Sequence, residues 1–220
     1  MYRKVVTILT HPQLLRRKAT AFPPFEVWGD AEKSTIQDLK DTFTVLQGYG
    51  LAAPQIGLSR RAVIVNLSAL GIGSDAVVMI NPQLELSGEL QRNEEACFSV
   101  PHVSAYVNRP LKCRVTYTSE DGAHEVLELE GFPAACLQHE VDHLDGLTYL
   151  NRINSAWRSI LQNKIRKKEK KKQAAQKAAR EEFDREHREL MGLDQKKTGH
   201  SRKRKPKARK KRLSKSKKRR

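Results

Sequence analysis

The chain has 220 residues, which suits one globular domain of about 100–200 residues with an appendage. Its formal net charge of +17 is concentrated at one end, because residues 1–157 hold 14 basic and 18 acidic side chains and residues 158–220 hold 28 basic and 7 acidic ones. No stretch of about 18 apolar residues is present, so neither a membrane span nor a membrane partner is predicted.

We call residues 1–157 the body. The first half of the body predicts an amphipathic helix and then short strands. Residues 31–47 place apolar side chains at successive spacings of three, four and three, which predicts a helix that ends at Gly48. Short β-rich runs then follow at 62–67, 77–80 and 84–86.

The second half of the body predicts a hairpin and a second helix. Two β-rich runs, 113–118 and 124–130, flank the turn sequence Glu120-Asp121-Gly122. A helix over 134–144 follows Pro133, which is tolerated near a first turn. Because the strands are too closely spaced for helical crossovers, we expect an α+β fold with small antiparallel sheets packed around this central helix.

The C-terminal part predicts a helix and a basic tail. Trp157, Ile160, Leu161 and Ile165 recur at helical spacing, so the first turns of this helix should pack on the body. The stretch 198–220 has 14 Lys or Arg and no acid, and it should be disordered. We therefore divide the chain into a globular domain, a basic helix and a polycationic tail, at residues 1–157, 158–197 and 198–220.

The central helix carries the most informative motif, His139-Glu140-Val141-Asp142-His143. Residues four apart face the same side of a helix, so both imidazoles can point at one metal ion while Glu140 reaches a water bound to it. The alternative is a surface helix with two titratable histidines. The extended metalloprotease pattern fails, because Tyr149 stands at its third histidine position.

A third protein ligand is needed, and it should lie upstream. Three ligands from one short helix would strain tetrahedral geometry, so we favour Cys97 over Cys136, which we interpret as a pocket wall. Either cysteine could instead be a small buried packing residue.

The composition also indicates the compartment and excludes one cofactor class. Three cysteines fit no secreted disulfide framework, and the first residues lack a signal-peptide pattern, so we expect a cytoplasmic protein. Gly48-Tyr49-Gly50 lacks the third glycine of a phosphate-binding loop, so no nucleotide cofactor is predicted.

Three ordered segments resemble the peptide deformylase family. GYGLAAPQ at 48–55 matches the family's GxGLAAPQ, and QHEVDH at 138–143 matches its QHExDH. EACFS at 95–99 departs from the usual EGCLS, because Ala96 and Phe98 replace glycine and leucine. The resemblance covers essentially the whole body.

This resemblance implies a hydrolase that removes the N-formyl group from the formyl-methionine of newly synthesised proteins and releases formate. It also implies a ferrous ion, often replaced by zinc, which Cys97, His139 and His143 would hold. Glu140 would accept the proton of the attacking water and deliver it to the leaving amine. The Gln55 amide and the backbone N–H of Phe98 would donate to the oxyanion.

The resemblance also places the methionine side chain in an apolar pocket and the peptide beside it in an extended conformation. The alternative for several of these residues is ordinary core packing, and a methyl group at Ala96 is expected to crowd the peptide. The substrate-binding candidates are Gly48, Tyr49, Gly50, Ala96, Phe132, Ala135 and Cys136.

The basic tail predicts binding to a polyanion. Because the substrates would be N-formyl-methionyl nascent peptides, which emerge from ribosomes, ribosomal RNA is the expected partner. The nucleic-acid-binding candidates are Lys167, Lys168, Lys170, Lys171, Lys172, Arg202, Lys203, Arg204, Lys205, Lys210, Lys211 and Arg212. One alternative is a merely solubilising tail. Another is a catalytically weakened deformylase-like protein that acts mainly as a ribosome- or RNA-binding factor.

Overall fold

Among the residues that the structure describes, five antiparallel strands form a sheet and neighbour one another in chain order. The computed structural model describes residues 1–73 and 75–191. The prediction of helices packed on antiparallel strands is confirmed, but within the described residues the strands form one sheet rather than several small ones. The strands are β1 Gly50–Ala52, β2 Ala62–Asn66, β3 Ala76–Cys97, β4 Val100–Thr118 and β5 His124–Glu130.

The prediction of separate short strands at 77–80 and 84–86 is wrong, because β3 continues through Asn81 and Pro82. A register shift between Ile80 and Gln83 accommodates the proline, which has no N–H for the ladder. Asn81 has a φ of 49°, and its amide accepts the Phe22 N–H at 2.9 Å and donates to the Phe22 carbonyl at 3.0 Å. These contacts let one strand pass a residue that would otherwise end it.

The predicted helices are present with small changes at their ends. The first long helix ends at Leu46 because Gln47, not Gly48, adopts the left-handed conformation, with a φ of 52°. The next helix begins two residues earlier than predicted, with Pro133 in its first turn. The helices are α1 Pro12–Leu15, α2 Asp30–Leu46, α3 Phe132–Leu144 and α4 Ser155–Leu190.

Both faces of the sheet are covered, which explains why β2 is apolar at nearly every position. Val63 and Val65 face the apolar side of α3 and join one core, which includes Leu137. Ile64 points the other way and packs with Leu39 of α2 in a second core. Alternate side chains of β2 therefore pack on different helices, α3 on one face of the sheet and α2 on the other.

The first turns of α4 pack on the body as predicted, although by fewer residues. Leu161 and Ile165 are buried in a third core with Val100. Trp157 and Ile160 are 46% and 54% exposed, so the prediction that they also pack is wrong. The buried pair has a spacing of four and forms a narrow stripe on one face of the helix.

The chain forms one compact unit over Met1–Gln173, and a second unit begins at Ala174. The tail predicted at 198–220, together with residues 192–197, lies outside the described residues. In the part of the chain that is described, no helix combines the length and apolar character that crossing a bilayer requires.

The attachment of α4 can be tested with two isoleucines on the same helix. We expect Ile165→Ala to lower the free energy of unfolding by about 2–5 kcal/mol, because its fully buried side chain leaves a cavity. Ile160→Ala, at an exposed position, should change it by less than about 0.5 kcal/mol. Denaturant unfolding of both variants measures this, and equal effects would contradict the packing described.

Candidate metal centre

The buried helix α3 presents two histidines and a glutamate towards the end of β3. Its other face packs on the sheet, which fixes the rotation of the helix. His139 and His143 are both buried, and their ring centroids lie 5.0 Å apart. Glu140 is 6% exposed. The alternative of a surface helix with two titratable histidines is therefore wrong.

Cys97 meets this helix at the last position of β3. Its Sγ lies 3.2 Å from His143 Nε2. The ligand atoms of Cys97, His139 and His143 all lie within 4.8 Å of one another, and no other such group of three is present among the described residues. A residue 42 positions upstream of His139 thus reaches the same point in space.

The chemistry of the three donors fits a transition-metal ion. Burial alone raises the pKa of the Cys97 thiol, but the imidazoles of His143 and His139 outweigh burial and hold that pKa well below its usual range. A thiolate with two imidazole nitrogens is a donor set for zinc or iron rather than for magnesium or calcium. Three protein ligands also leave a coordination position for water or substrate, as a hydrolytic site requires.

Tyr149 and Cys136 have structural positions that agree with their predicted exclusion as ligands. Tyr149 is fully buried and donates its hydroxyl proton to the Val103 carbonyl at 2.9 Å. Cys136 lines the neighbouring cavity, and burial raises the pKa of its thiol to about 12. The pKa values of Cys136 and Cys97 are therefore shifted in opposite directions.

Glu140 is placed to transfer protons beside the three donors. Burial raises the pKa of Glu140 to about 7, even though both imidazoles lower it. Its Oε2 has no hydrogen-bond partner within the described residues. A Cβ atom at Gly50 would lie 2.7 Å from Glu140 Oε1, so glycine is what lets this carboxyl lie against β1.

Gln55 also points into the site and is held there by the backbone. Its Oε1 accepts the N–H of Ala52 at 2.7 Å, which leaves its Nε2 to donate to Cys97 Sγ at 3.4 Å. The side chain is buried. The Phe98 ring lies over Gly48, where a Cβ would be 2.7 Å from the ring edge.

A cavity of about 760 Å³ opens beside these groups. Tyr49 and Phe132 meet edge to face in its wall, with ring centroids 5.2 Å apart. A second wall of the cavity is formed by Val100–Ser104. All seven predicted substrate-binding residues line this cavity: Gly48, Tyr49, Gly50, Ala96, Phe132, Ala135 and Cys136.

Behind the site lies a buried ion-pair network that sequence reasoning missed. Glu95 Oε2 lies 2.8 Å from His139 Nδ1, which leaves Nε2 of that ring to face Cys97. Arg109 holds Glu95 from the other side, with its Nη2 2.9 Å from the same Oε2. Two-residue spacing from Cys97 along β3 could have indicated Glu95, because alternate strand residues share a face.

Asp142 extends the network to the far end of α3. It accepts from Arg109 Nη1 at 2.9 Å and from Arg152 Nε at 3.0 Å. The nearby carboxylates raise the pKa of Arg109 despite the opposing effect of burial. No sequence signal pairs Arg109 with Asp142, because only the register of β4 brings them together.

The basic candidates divide between described and undescribed residues. Five of them lie exposed on α4: Lys167, Lys168, Lys170, Lys171 and Lys172. The other seven lie outside the described residues: Arg202, Lys203, Arg204, Lys205, Lys210, Lys211 and Arg212.

Comparisons with known sequences find one family. Residues 3–159 match the polypeptide deformylase family. The chain is 33% identical over 164 residues to a peptide deformylase of Pelagibacter ubique, covering 74% of this chain and 94% of that protein. It is 36% identical over 166 residues to a peptide deformylase of Thermotoga neapolitana, covering 75% of this chain and 94% of that protein.

Solved structures agree as well. A peptide deformylase from Legionella pneumophila superposes with a TM-score of 0.68 at 31% identity, covering 79% of this chain and 98% of that one. A Met-Ala-Ser-bound peptide deformylase from Acinetobacter baumannii superposes with a TM-score of 0.62 at 31% identity, covering 70% and 99%. These relatives do not favour the alternative of a weakened RNA-binding factor. The chain therefore belongs to the polypeptide deformylase family, metal-dependent hydrolases that remove the N-formyl group from newly made proteins.

Proposed function

We propose that this chain hydrolyses the formamide of N-terminal formyl-methionine with Glu140 as its proton carrier and a metal ion held by Cys97, His139 and His143. The convergence of those three ligand atoms within 4.8 Å, next to a buried carboxyl, supports this most strongly. Membership of the deformylase family supports the reaction, and the donor set supports the residues that we propose to perform it.

The metal we propose is ferrous iron, with zinc as a substitute. A divalent ion lowers the pKa of bound water and polarises a carbonyl oxygen, which is the chemistry that hydrolysis of a formamide needs. The Cys97 thiolate would neutralise part of the ion's charge, and Glu95 orients the His139 ring through its Nδ1.

The remaining steps belong to side chains and backbone of this chain. Glu140 accepts a proton from the attacking water and passes it to the departing amine, so that the amine leaves neutral. The Nε2 of Gln55 and the N–H of Phe98 donate to the oxyanion of the tetrahedral intermediate. Because the Ala52 N–H fixes the Gln55 amide, its donor is oriented before substrate arrives.

The cavity beside Glu140 is the proposed site for the methionine side chain, with Tyr49, Phe132 and Cys136 in its wall. The peptide that follows would lie along Gly48–Gly50 and Ala96. The Ala96 methyl group is exposed at this wall, so it narrows the space for the peptide backbone. The A. baumannii relative with bound Met-Ala-Ser suggests that tripeptide as the product to test.

The basic part of the chain is proposed to hold the enzyme near its substrates in the cytoplasm. Exposed lysines on α4 and the lysine- and arginine-rich residues 198–220 would bind ribosomal RNA by releasing counterions. Formylated chains emerge from the ribosome, so this contact would raise their local concentration.

The ligand assignment is tested with the two cysteines that border the site. We expect Cys97→Ser to lose bound iron and formate release from formyl-Met-Ala-Ser, because it replaces the thiolate donor. Cys136→Ser should keep its metal. Metal analysis and formate release, both under anaerobic conditions, measure this. Glu140→Ala should keep the metal but lower kcat by about 10²–10⁴-fold. Activity that survives Cys97→Ser but not Cys136→Ser would refute the assignment.

The close approach of β1 to Glu140 gives a second prediction. Gly50→Ala should lower kcat by about 10²-fold or more, because the new methyl group displaces the Glu140 carboxyl. Gly48→Ala is the matched comparison, since its methyl group meets only the tip of the Phe98 ring, and it should act mainly on KM. Steady-state kinetics that show the same loss of kcat in both variants would contradict this placement.

The ribosome contact is tested by neutralising α4 in the full chain. We expect changing Lys167, Lys170, Lys171 and Lys172 to Gln, or ending the chain at Gln173, to reduce co-sedimentation with ribosomes. The salt dependence of the residual binding should also become shallower. Lys168 is kept, because its Nζ donates to the His102 carbonyl. Unchanged co-sedimentation of both variants would show that the tail is merely solubilising.

A further inference from the structure

Four residues of β4 form one rim of the substrate cavity. Glu95 pairs with Ala105, and Cys97 pairs with Val100. Between these two pairs β3 has one residue, Ala96, whereas β4 has four, Pro101–Ser104. We call Pro101–Ser104 the rim bulge. Its residues line the same cavity as Ala96, beside which the peptide following formyl-methionine is proposed to lie. The position of the rim bulge therefore helps to shape this part of the cavity.

The rim bulge contains a residue in an unfavourable backbone conformation. His102 has a φ of +75°, in the left-handed region where the Cβ of an L-residue is crowded. A residue other than glycine keeps this conformation only where surrounding contacts hold it. The neighbours of His102 are therefore part of what shapes the cavity.

Two residues of α4 supply these contacts. The Glu169 carboxylate lies 3.1 Å from His102 Nε2, and Lys168 Nζ donates to the His102 carbonyl oxygen at 3.2 Å. Gln173 Nε2 donates to the other Glu169 oxygen at 3.1 Å, which orients the carboxylate. One helical turn thus holds both the side chain and the main chain of His102.

The apolar contacts of α4 hold this turn beside the rim bulge. Leu161 and Ile165 are buried in a core that includes Val100 and Val103 on either side of His102. Lys168 and Glu169 follow Ile165 by three and four positions, so they continue the same face of the helix. The helix is thereby anchored to the body before it reaches the rim bulge.

We infer that Lys168 and Glu169 are positioning residues for substrate binding, which fix the rim bulge and so set the affinity for the peptide chain after formyl-methionine. This inference rests on the proposed function. It gives α4 a role in the active-site cavity that is separate from any contact with RNA. Lys168 acts here through the bond of its Nζ to the carbonyl of a cavity residue.

The test compares full-length variants with formyl-Met-Ala-Ser as substrate and Met-Ala-Ser as a product ligand. In the double variant Lys168→Ala, Glu169→Ala we expect KM and the Kd of Met-Ala-Ser to rise about two- to tenfold, with kcat unchanged, as loss of two hydrogen bonds to one residue implies. Lys168→Arg should have a KM near that of the wild type, unlike Lys168→Ala, because a guanidinium also donates to the carbonyl. Glu181→Gln is the matched control on the same helix and should change neither constant.

Several results would overturn the inference. One is an unchanged KM and Kd in a double variant that melts at the wild-type temperature, and another is a loss confined to kcat. If the double variant does not fold, the same comparison is made with Glu169→Gln alone. If the wild type binds Met-Ala-Ser but releases no formate, the proposed function fails, while the Kd values still decide the inference. A wild type that does not bind Met-Ala-Ser would refute the inference as well.

Discussion

The site depends on the burial of α3 against the sheet. Leu137 and Val141 on one side of the helix pack on β2 and its neighbours. This contact fixes the rotation of the helix and therefore the direction in which His139, Glu140 and His143 point. Each of these polar groups is buried, and partners inside the protein offset the cost of leaving water. The end of β3 supplies one of them, because Cys97 lies there with its sulfur beside His143.

Charged groups in a dry interior are costly, and the protein offsets that cost by pairing them in series. His139 contacts Glu95, which contacts Arg109, which contacts Asp142 on the same helix. The series therefore begins and ends on α3, at His139 and at Asp142. Such a closed arrangement fixes the His139 ring more firmly than a single hydrogen bond and ties β3, β4 and α3 into one unit.

The sequence predicted those parts of the protein that depend on local pattern. The spacing of His139 and His143, the proline in the first turn of α3 and the turn between β4 and β5 each follow from a few adjacent residues. The motif at 95–99 located Cys97 by resemblance, and the structure then placed its sulfur beside the histidines.

What the sequence did not predict depends on contacts between distant segments. The continuity of β3 past Pro82 needs the Asn81 side chain to bond Phe22. Arg109 meets its acidic partners only because the strand register brings them together. The rim bulge is likewise invisible in sequence, since His102 carries no mark of a left-handed backbone and its partners on α4 lie more than 60 residues away.

The C-terminal helix contacts the wall of the cavity as well as carrying part of the basic charge. Its apolar stripe completes the core beneath Val100, and its next turn contacts the cavity wall at His102. Charge alone would have assigned every lysine of α4 to a polyanion, yet one of them is bonded to the body. Composition therefore describes the overall tendency of such a segment, and individual contacts decide what each residue does.

The claim that Cys97, His139 and His143 together bind one ion is tested most directly by X-ray absorption spectroscopy of the anaerobically iron-loaded chain. We predict one sulfur and at least two nitrogen neighbours around each iron, and loss of the sulfur neighbour in Cys97→Ser. A wild-type spectrum without sulfur, or one that keeps it after Cys97→Ser, would contradict this account.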